Sequence, residues 1–143
     1  MIYTHLTNEA MKIAYAAHHG QVDKGGIPYI FHPYHLAEQM SDEYTTCVAL
    51  LHDVVEDTAV TLDELSKIFP KEVTDAVALM THNDNTPYWE YVAKIKENPI
   101  ARAVKLADLL HNSDKTRLED QNANAADLKR WEEKYSKALT ILR

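Results

Sequence analysis

Tyr44-Thr45-Thr46-Cys47-Val48-Ala49-Leu50-Leu51-His52-Asp53-Val54-Val55-Glu56-Asp57 reads as one helix. Its centre, Val48-Ala49-Leu50-Leu51, is apolar nearly all round, as expected of a helix enclosed by others. Its second half is polar in a pattern. Residues four apart share a helix face, so His52 stands below Glu56 and Asp53 below Asp57, while Leu51 and Val55 turn to the core. Three carboxylates and an imidazole on a mostly apolar helix are costly to bury unless something neutralises them. A metal ion does so directly. Imidazole nitrogen with carboxylate oxygen suits Mn, Fe, Co or Zn, and the lack of thiols argues against a structural zinc site. The competing reading, commoner for an isolated His-Asp pair, is a solvent-exposed acidic face.

Outward from this helix the apolar period stays helical. Leu6 to His19 carries Leu6, Ala10, Ile13, Ala14 and Ala17 at three- and four-residue steps, with Thr7 as its N-cap. The chain's three glycines, Gly20, Gly25 and Gly26, fall together with Pro28 in a loop from Gly20 to Phe31. His32-Pro33 opens a short helix through Met40, with proline in the first turn. Ser41-Asp42-Glu43 is a stop and restart. Thr61-Leu62-Asp63-Glu64 is a capping box. Pro70 ends that helix, and Lys71 to Met80 forms the next. His82 to Thr86 is turn-like. Pro87 begins a helix to about Glu97. Asn98-Pro99 caps another from Ile100 to His111. A polar linker, roughly Asp114 to Asn124, precedes a last helix from Ala125 to Leu142. No segment alternates with a period of two. The pattern predicts an all-α fold, a compact bundle of about seven or eight helices forming one domain over residues 1–143.

Composition agrees. A chain of 143 residues is one domain's worth and buries about two-thirds of the surface it exposes when unfolded. Hydrophobic residues at 45% and charged residues at 26% exclude wholesale disorder. Acids outnumber bases 22 to 15, for a net charge of −7. That excludes a nucleic-acid polymer as partner, which needs a basic face, but allows a small phosphorylated substrate, because a bound cation reverses the local field. Cys47 is alone, so no internal disulfide forms and a reducing compartment is expected. The start, Met1-Ile2-Tyr3-Thr4-His5, lacks a signal peptide's charged and apolar regions. No apolar run is long enough for a membrane span. The expectation is a soluble cytoplasmic protein.

A second polar patch supports the metal reading. In Lys105-Leu106-Ala107-Asp108-Leu109-Leu110-His111-Asn112, Asp108 and Asn112 are four apart and share a face with His111, while Val104, Ala107 and Leu110 face the core. His32 stands at the mouth of a helix directly after the glycine loop. His32, the His52-Asp53 pair and the distant Asp108 make a His/His/Asp/Asp set with open positions for water and substrate, as a hydrolytic metal requires.

These residues resemble the HD-domain metal-dependent phosphohydrolases, and within them one branch. Gly25-Gly26-Ile27-Pro28-Tyr29-Ile30-Phe31-His32-Pro33 resembles its GEPYIxHP segment. Leu51-His52-Asp53-Val54-Val55-Glu56-Asp57-Thr58 matches its LHDVVEDT. Lys105 to Asn112 matches KLADRLHN, with Leu109 in place of Arg. The branch is the hydrolase domain of the RelA/SpoT proteins and the small alarmone hydrolases, and the likeness runs from about Ala16 to Asn112. It implies one Mn²⁺ per chain held by His32, His52, Asp53 and Asp108. It implies Glu56 and Asp57 as the catalytic groups that handle protons and orient the attacking water. It implies Asn112 as a substrate contact. Lys24, beside glycines that let the backbone approach a nucleotide closely, and Lys105 are further candidate substrate contacts. The reaction it implies is hydrolysis of the 3′-diphosphate of (p)ppGpp to GDP or GTP and pyrophosphate.

The chain departs from the branch at specificity positions. Asp23-Lys24 stands where Arg-Lys usually precedes the glycines and the Arg packs on guanine. Ser113-Asp114-Lys115-Thr116 stands where Met-Arg-Thr often follows. An adenine alarmone such as (p)ppApp, another phosphorylated nucleotide, or a non-catalytic nucleotide-sensing role therefore stays open. His18 reads as a support for the metal site or as a helix-end cap. His35, one turn after His32, is an alternative ligand or a surface residue. His5 and His82 have no evident partner. Tyr88, Trp89 and Tyr91 read as packing or as a base-stacking rim. Trp131, Tyr135 and Leu139 read as core closure or as the face of a homo-oligomer.

Overall fold

The computed structural model describes residues 1–119 and 124–143. Among them the chain forms α1 (His5–Ala17), α2 (Phe31–Glu38), α3 (Glu43–Leu51), α4 (Val54–Asp57), α5 (Leu62–Ser66), α6 (Lys71–Met80), α7 (Tyr88–Lys96), α8 (Pro99–Asn112), α9 (Lys115–Glu119) and α10 (Ala125–Leu142). Seven of these are eight residues or longer, while α4, α5 and α9 are single turns of four or five. The all-α expectation stands. The nearest approach to a sheet among the described residues is one isolated bridge, Val22 with Pro28, inside the glycine loop.

The apolar helix is the centre of the bundle. Every residue of α3 from Thr45 to Leu51 is buried, and α1, α2, α6 and α8 pack around it. Asp42 starts it by accepting a hydrogen bond from Thr45 N at 2.8 Å. Burial also pushes the Cys47 thiol up to about 12. Leu51→Ala should lower the unfolding free energy by about 2–5 kcal/mol, read as a lower urea midpoint at unchanged slope. A change within about 0.5 kcal/mol, the size of a surface substitution, would place Leu51 outside the core.

Four expectations are corrected. Tyr44 to Asp57 is not one helix: it breaks at His52-Asp53, where Asp53 lies at φ −104° and ψ 0°. On an unbroken helix neighbours point about 100° apart. The break lets two consecutive side chains aim at one place. Thr4, not Thr7, caps α1. The two threonines form a reciprocal box, Thr7 N to Thr4 Oγ1 at 3.2 Å and Thr4 N to Thr7 Oγ1 at 2.8 Å. The polar linker from Asp114 contains a helix, α9, whose start is held by Asp114 Oδ1 accepting from Thr116 N at 2.9 Å. The linker's residues 120–123 lie outside the described residues. Finally, Leu110 is 53% exposed and Leu109 1%, so α8 turns Leu109 and not Leu110 to the core.

The remaining starts follow the sequence. Asn98 Oδ1 caps α8 through Ile100 N and Ala101 N, both at 3.0 Å, ahead of Pro99. Thr61 caps α5 through Glu64 N at 3.2 Å. Asn124 caps α10 through Asp127 N at 2.8 Å, and α10 lies across α7 and α8. No described helix is long and apolar enough to cross a membrane.

Candidate active site

Four elements converge on one point. His32 comes from the start of α2, His52 and Asp53 from the break between α3 and α4, and Asp108 from α8. A ligand atom from each of His32, His52 and Asp53 lies within 4.8 Å of the other two. Asp108 Oδ1 is 2.8 Å from His32 Nε2 and 3.7 Å from His52 Nε2. All four candidate ligands are thus brought together.

The tautomer of His52 is set by the backbone. Its Nδ1 lies 2.7 Å from the Ala49 carbonyl oxygen, which only an N–H can satisfy. That leaves Nε2 facing the site, where it offers a lone pair once a cation displaces its proton. This nitrogen is buried 3.1 Å from Asp53 Oδ2, yet neither Asp53 nor Asp108 is aligned to hydrogen-bond it. A buried, unpartnered imidazole nitrogen among carboxylates fits a divalent cation.

The charges fit as well. Burial would raise the Asp53 carboxyl, but His52 beside it holds it down to about 2. Burial would raise Asp108 too, but Lys105, with His32 and His52, keeps it well below the usual carboxylate range. Burial opposes the imidazolium of His52, but Asp53 and Asp108 push it well above its ordinary value. Both carboxylates therefore stay ionised, the form that binds a cation.

Glu56 and Asp57 sit one turn on, at the exposed rim, and each brings a carboxylate oxygen within 4.8 Å of Asp53. Burial raises both carboxyls above their ordinary values. Glu56 Oε1 accepts from the backbone N–H of His82 at 2.6 Å. His82 thus has partners after all, because its ring Nε2 also lies 2.8 Å from Thr86 O. That clamp spans 26 residues, and no sequence signal marked it.

The predicted substrate contacts divide. Lys24 lines the pocket and lies 3.6 Å from the centre of the Trp131 ring. Asn112 lines it too, and its Nδ2 donates to Asp108 Oδ1 at 3.2 Å. Lys105 lies in the adjoining cavity, its ammonium 3.0 Å from Asp108 Oδ2, so its charge is already paired. The site pocket holds about 370 Å³. The adjoining cavity, about 490 Å³, shares Glu56, Asn112 and Tyr135 with it. Together they match the scale of small-molecule sites, about 300–1,000 Å³.

Several residues take roles the sequence left open or missed. Trp131 and Tyr135 line the site pocket, while Leu139 packs on the core. Tyr91 is buried and its hydroxyl donates to Met80 O at 2.6 Å. Tyr88 and Trp89 line the adjoining cavity. His35 is exposed, stacked on the ring of His111. His18 is buried with Nδ1 2.8 Å from Gln21 Oε1, and Gln21 in turn donates to the Asp57 carbonyl. His18 ends α1 through its backbone N–H to Ala14 O, while its ring bonds no backbone carbonyl. The Tyr29 hydroxyl donates to Asp53 Oδ2.

Asp23 is spent on the loop. Its Oδ1 accepts from Gly25 N at 2.8 Å and Ile27 N at 3.0 Å, and Gly26 takes a left-handed φ of 81° to close the turn. Its Oδ2 lies 3.8 Å from the Arg117 guanidinium, which reaches the pocket from α9. A planar cation thus stands in the pocket although position 23 is acidic.

Residues 10–133 match the HD domain family, and the chain belongs to that family. Among curated relatives, the bifunctional (p)ppGpp synthase/hydrolase SpoT of Escherichia coli K12 is 33% identical over 134 residues, covering 78% of this chain and 19% of its own length. The guanosine-3′,5′-bis(diphosphate) 3′-pyrophosphohydrolase of Borreliella burgdorferi is 36% identical over 120 residues, covering 73% of this chain and 18% of its own. A probable GTP pyrophosphokinase of Mycobacterium leprae is 34% identical over 120 residues, 75% of this chain and 15% of its own. The chain thus spans less than a fifth of these relatives. In fold it is similar to a metazoan ortholog of SpoT that hydrolyses ppGpp, with a TM-score of 0.79 at 24% identity over 100% of this chain and 88% of the other.

Proposed function

We propose that this single HD domain hydrolyses the 3′-diphosphate of a (p)ppGpp-type nucleotide, giving a 3′-hydroxyl and pyrophosphate, with one Mn²⁺ held by His32, His52, Asp53 and Asp108. The observation that carries the metal reading is His52, locked through Nδ1 on Ala49 O with Nε2 left buried and unpartnered. The relatives whose names include (p)ppGpp hydrolysis support the substrate class.

A divalent cation at this point supplies Lewis acidity and neutralises phosphate charge. The chain's own residues do the rest. Water attacks the phosphorus joined to the 3′ oxygen, and the bond between them breaks with its electron pair on the 3′ oxygen, which takes up a proton from solvent to become the hydroxyl. Glu56, fixed by the His82 N–H and raised toward neutrality by burial, takes the proton from that water. Asp57 lies against the same carboxylate group and helps orient the water. Lys24 and Asn112 face the nucleotide, with Lys105 at the border of the adjoining cavity. Trp131, with the Lys24 ammonium over its ring, lines the same pocket wall.

The test is hydrolysis of ppGpp and ppApp by metal-stripped protein, with and without Mn²⁺, products being resolved by ion exchange. The expected result is Mn²⁺-dependent release of pyrophosphate. Turnover of ppApp alone would move the base preference to adenine. Bound Mn²⁺ with turnover of neither nucleotide would replace the hydrolase by a nucleotide sensor.

A further inference from the structure

We infer that His111 is a positioning residue for the metal site, its Nδ1 fixing the ring of His32 so that Nε2 faces Asp108 and the cation. This rests on the metal-site reading above and adds a residue to it that touches neither cation nor substrate.

His32 is buried, and both its ring nitrogens are engaged. Nε2 lies 2.8 Å from Asp108 Oδ1, and Nδ1 lies 2.7 Å from His111 Nδ1. Two ring nitrogens at that distance must be one N–H and one lone pair. When Nε2 of His32 gives its lone pair to a cation, the ring's single proton sits on Nδ1, and His111 Nδ1 accepts it. An apolar side chain at position 111 would leave that N–H buried without a partner and the ring without a stop.

His111 is itself held. Its ring lies 7° from parallel with His32, centroids 4.9 Å apart, and 24° from parallel with His35, centroids 4.1 Å apart. Its carbonyl accepts from Arg117 Nη1 at 2.7 Å. The next residue, Asn112, holds Asp108 Oδ1 at 3.2 Å. The end of α8 therefore orients two ligands from consecutive positions, His32 through His111 and Asp108 through Asn112.

The test compares Mn²⁺ dissociation constants, read from the electron paramagnetic resonance of free Mn²⁺, for the wild type, His111→Leu, His111→Asn and His35→Ala. Loss of a partner behind a ligating histidine typically costs about 10–100-fold in metal affinity, and that is expected for His111→Leu. In His111→Asn a side-chain oxygen takes the place of Nδ1, so affinity returns most of the way to wild type. In His35→Ala, which leaves the hydrogen bond between His111 and His32 in place, affinity falls far less than in His111→Leu. Ring nitrogen shifts of the wild type with Zn²⁺ as a diamagnetic substitute should show the His32 proton on Nδ1, a readout that needs no variant to fold. Wild-type affinity in a folded His111→Leu, or the proton on Nε2 of His32, would overturn the role of His111 alone. A wild type that binds no Mn²⁺ would overturn the metal site together with it.

Discussion

Asp108→Ala should abolish Mn²⁺ binding and turnover, and should also destabilise the fold. Asp108 is the most connected group of the site: Oδ1 meets His32 Nε2 at 2.8 Å and Asn112 Nδ2 at 3.2 Å, and Oδ2 meets Lys105 Nζ at 3.0 Å. Removing it leaves the Lys105 ammonium, on a side chain only 12% exposed, with no counter-charge. Breaking a buried pair from one side costs about 3–5 kcal/mol. Asp108→Ala with Lys105→Met should recover much of that stability, because both charges are then gone, and should recover no metal. A double variant that regains metal at full stoichiometry would remove Asp108 from the ligand set. The pH dependence has a definite sign. Asp108 is held below its ordinary value of 3.8, so its contribution is complete above that value and is lost as pH falls below it. Lys105 is held above 10.5, so its contribution is complete below that value and is lost as pH rises through the raised one. Acid unfolding of the wild type should therefore show a step that the double variant lacks.

The parts of this site legible in the sequence are those set by local spacing. His52, Asp53, Glu56 and Asp57 fall within six residues, and Asp108 and Asn112 sit one helical turn apart, so a helical period alone groups them. Caps are legible where the usual residue types stand, as at Asn98 and Thr61. The cap at Thr4 is not, because a Thr-Thr box lacks the acidic or amide third residue that marks the motif. The break at His52-Asp53 left no mark, since neither glycine nor proline is there and the hydrophobic period runs straight through it. What makes the break is tertiary: two adjacent side chains meeting partners from α2 and α8. The same holds for the clamp of His82 on Glu56 and for Trp131 and Tyr135 at the pocket. Trp131, Tyr135 and Leu139 form a helical stripe. The sequence could not show that two of them face a cavity beside α8 and the third the core.

Glu56→Gln separates holding a metal from using it. Gln keeps the length of the side chain and an oxygen able to accept the His82 N–H at the 2.6 Å seen for Glu56. It removes only the charge and the capacity to take a proton. Mn²⁺ affinity should therefore stay close to wild type, while the turnover number falls by about 10²–10⁴, the usual worth of a positioned general base. The acid limb of the pH profile gives an independent sign. A base works only when deprotonated, and burial raises the Glu56 carboxyl, so wild-type turnover should fall as pH drops through a value above the ordinary 4.5 for glutamate. In Glu56→Gln the residual rate should lose that limb. Asp57→Asn is the comparison, since burial raises its carboxyl as well and the backbone carbonyl of Asp57 is what Gln21 grips, leaving its side chain free to change. Near-wild-type turnover in Glu56→Gln with a large loss in Asp57→Asn would hand the proton to Asp57. The reverse order, with metal retained in both, fixes Glu56 as the base and leaves Asp57 the orientation of the water.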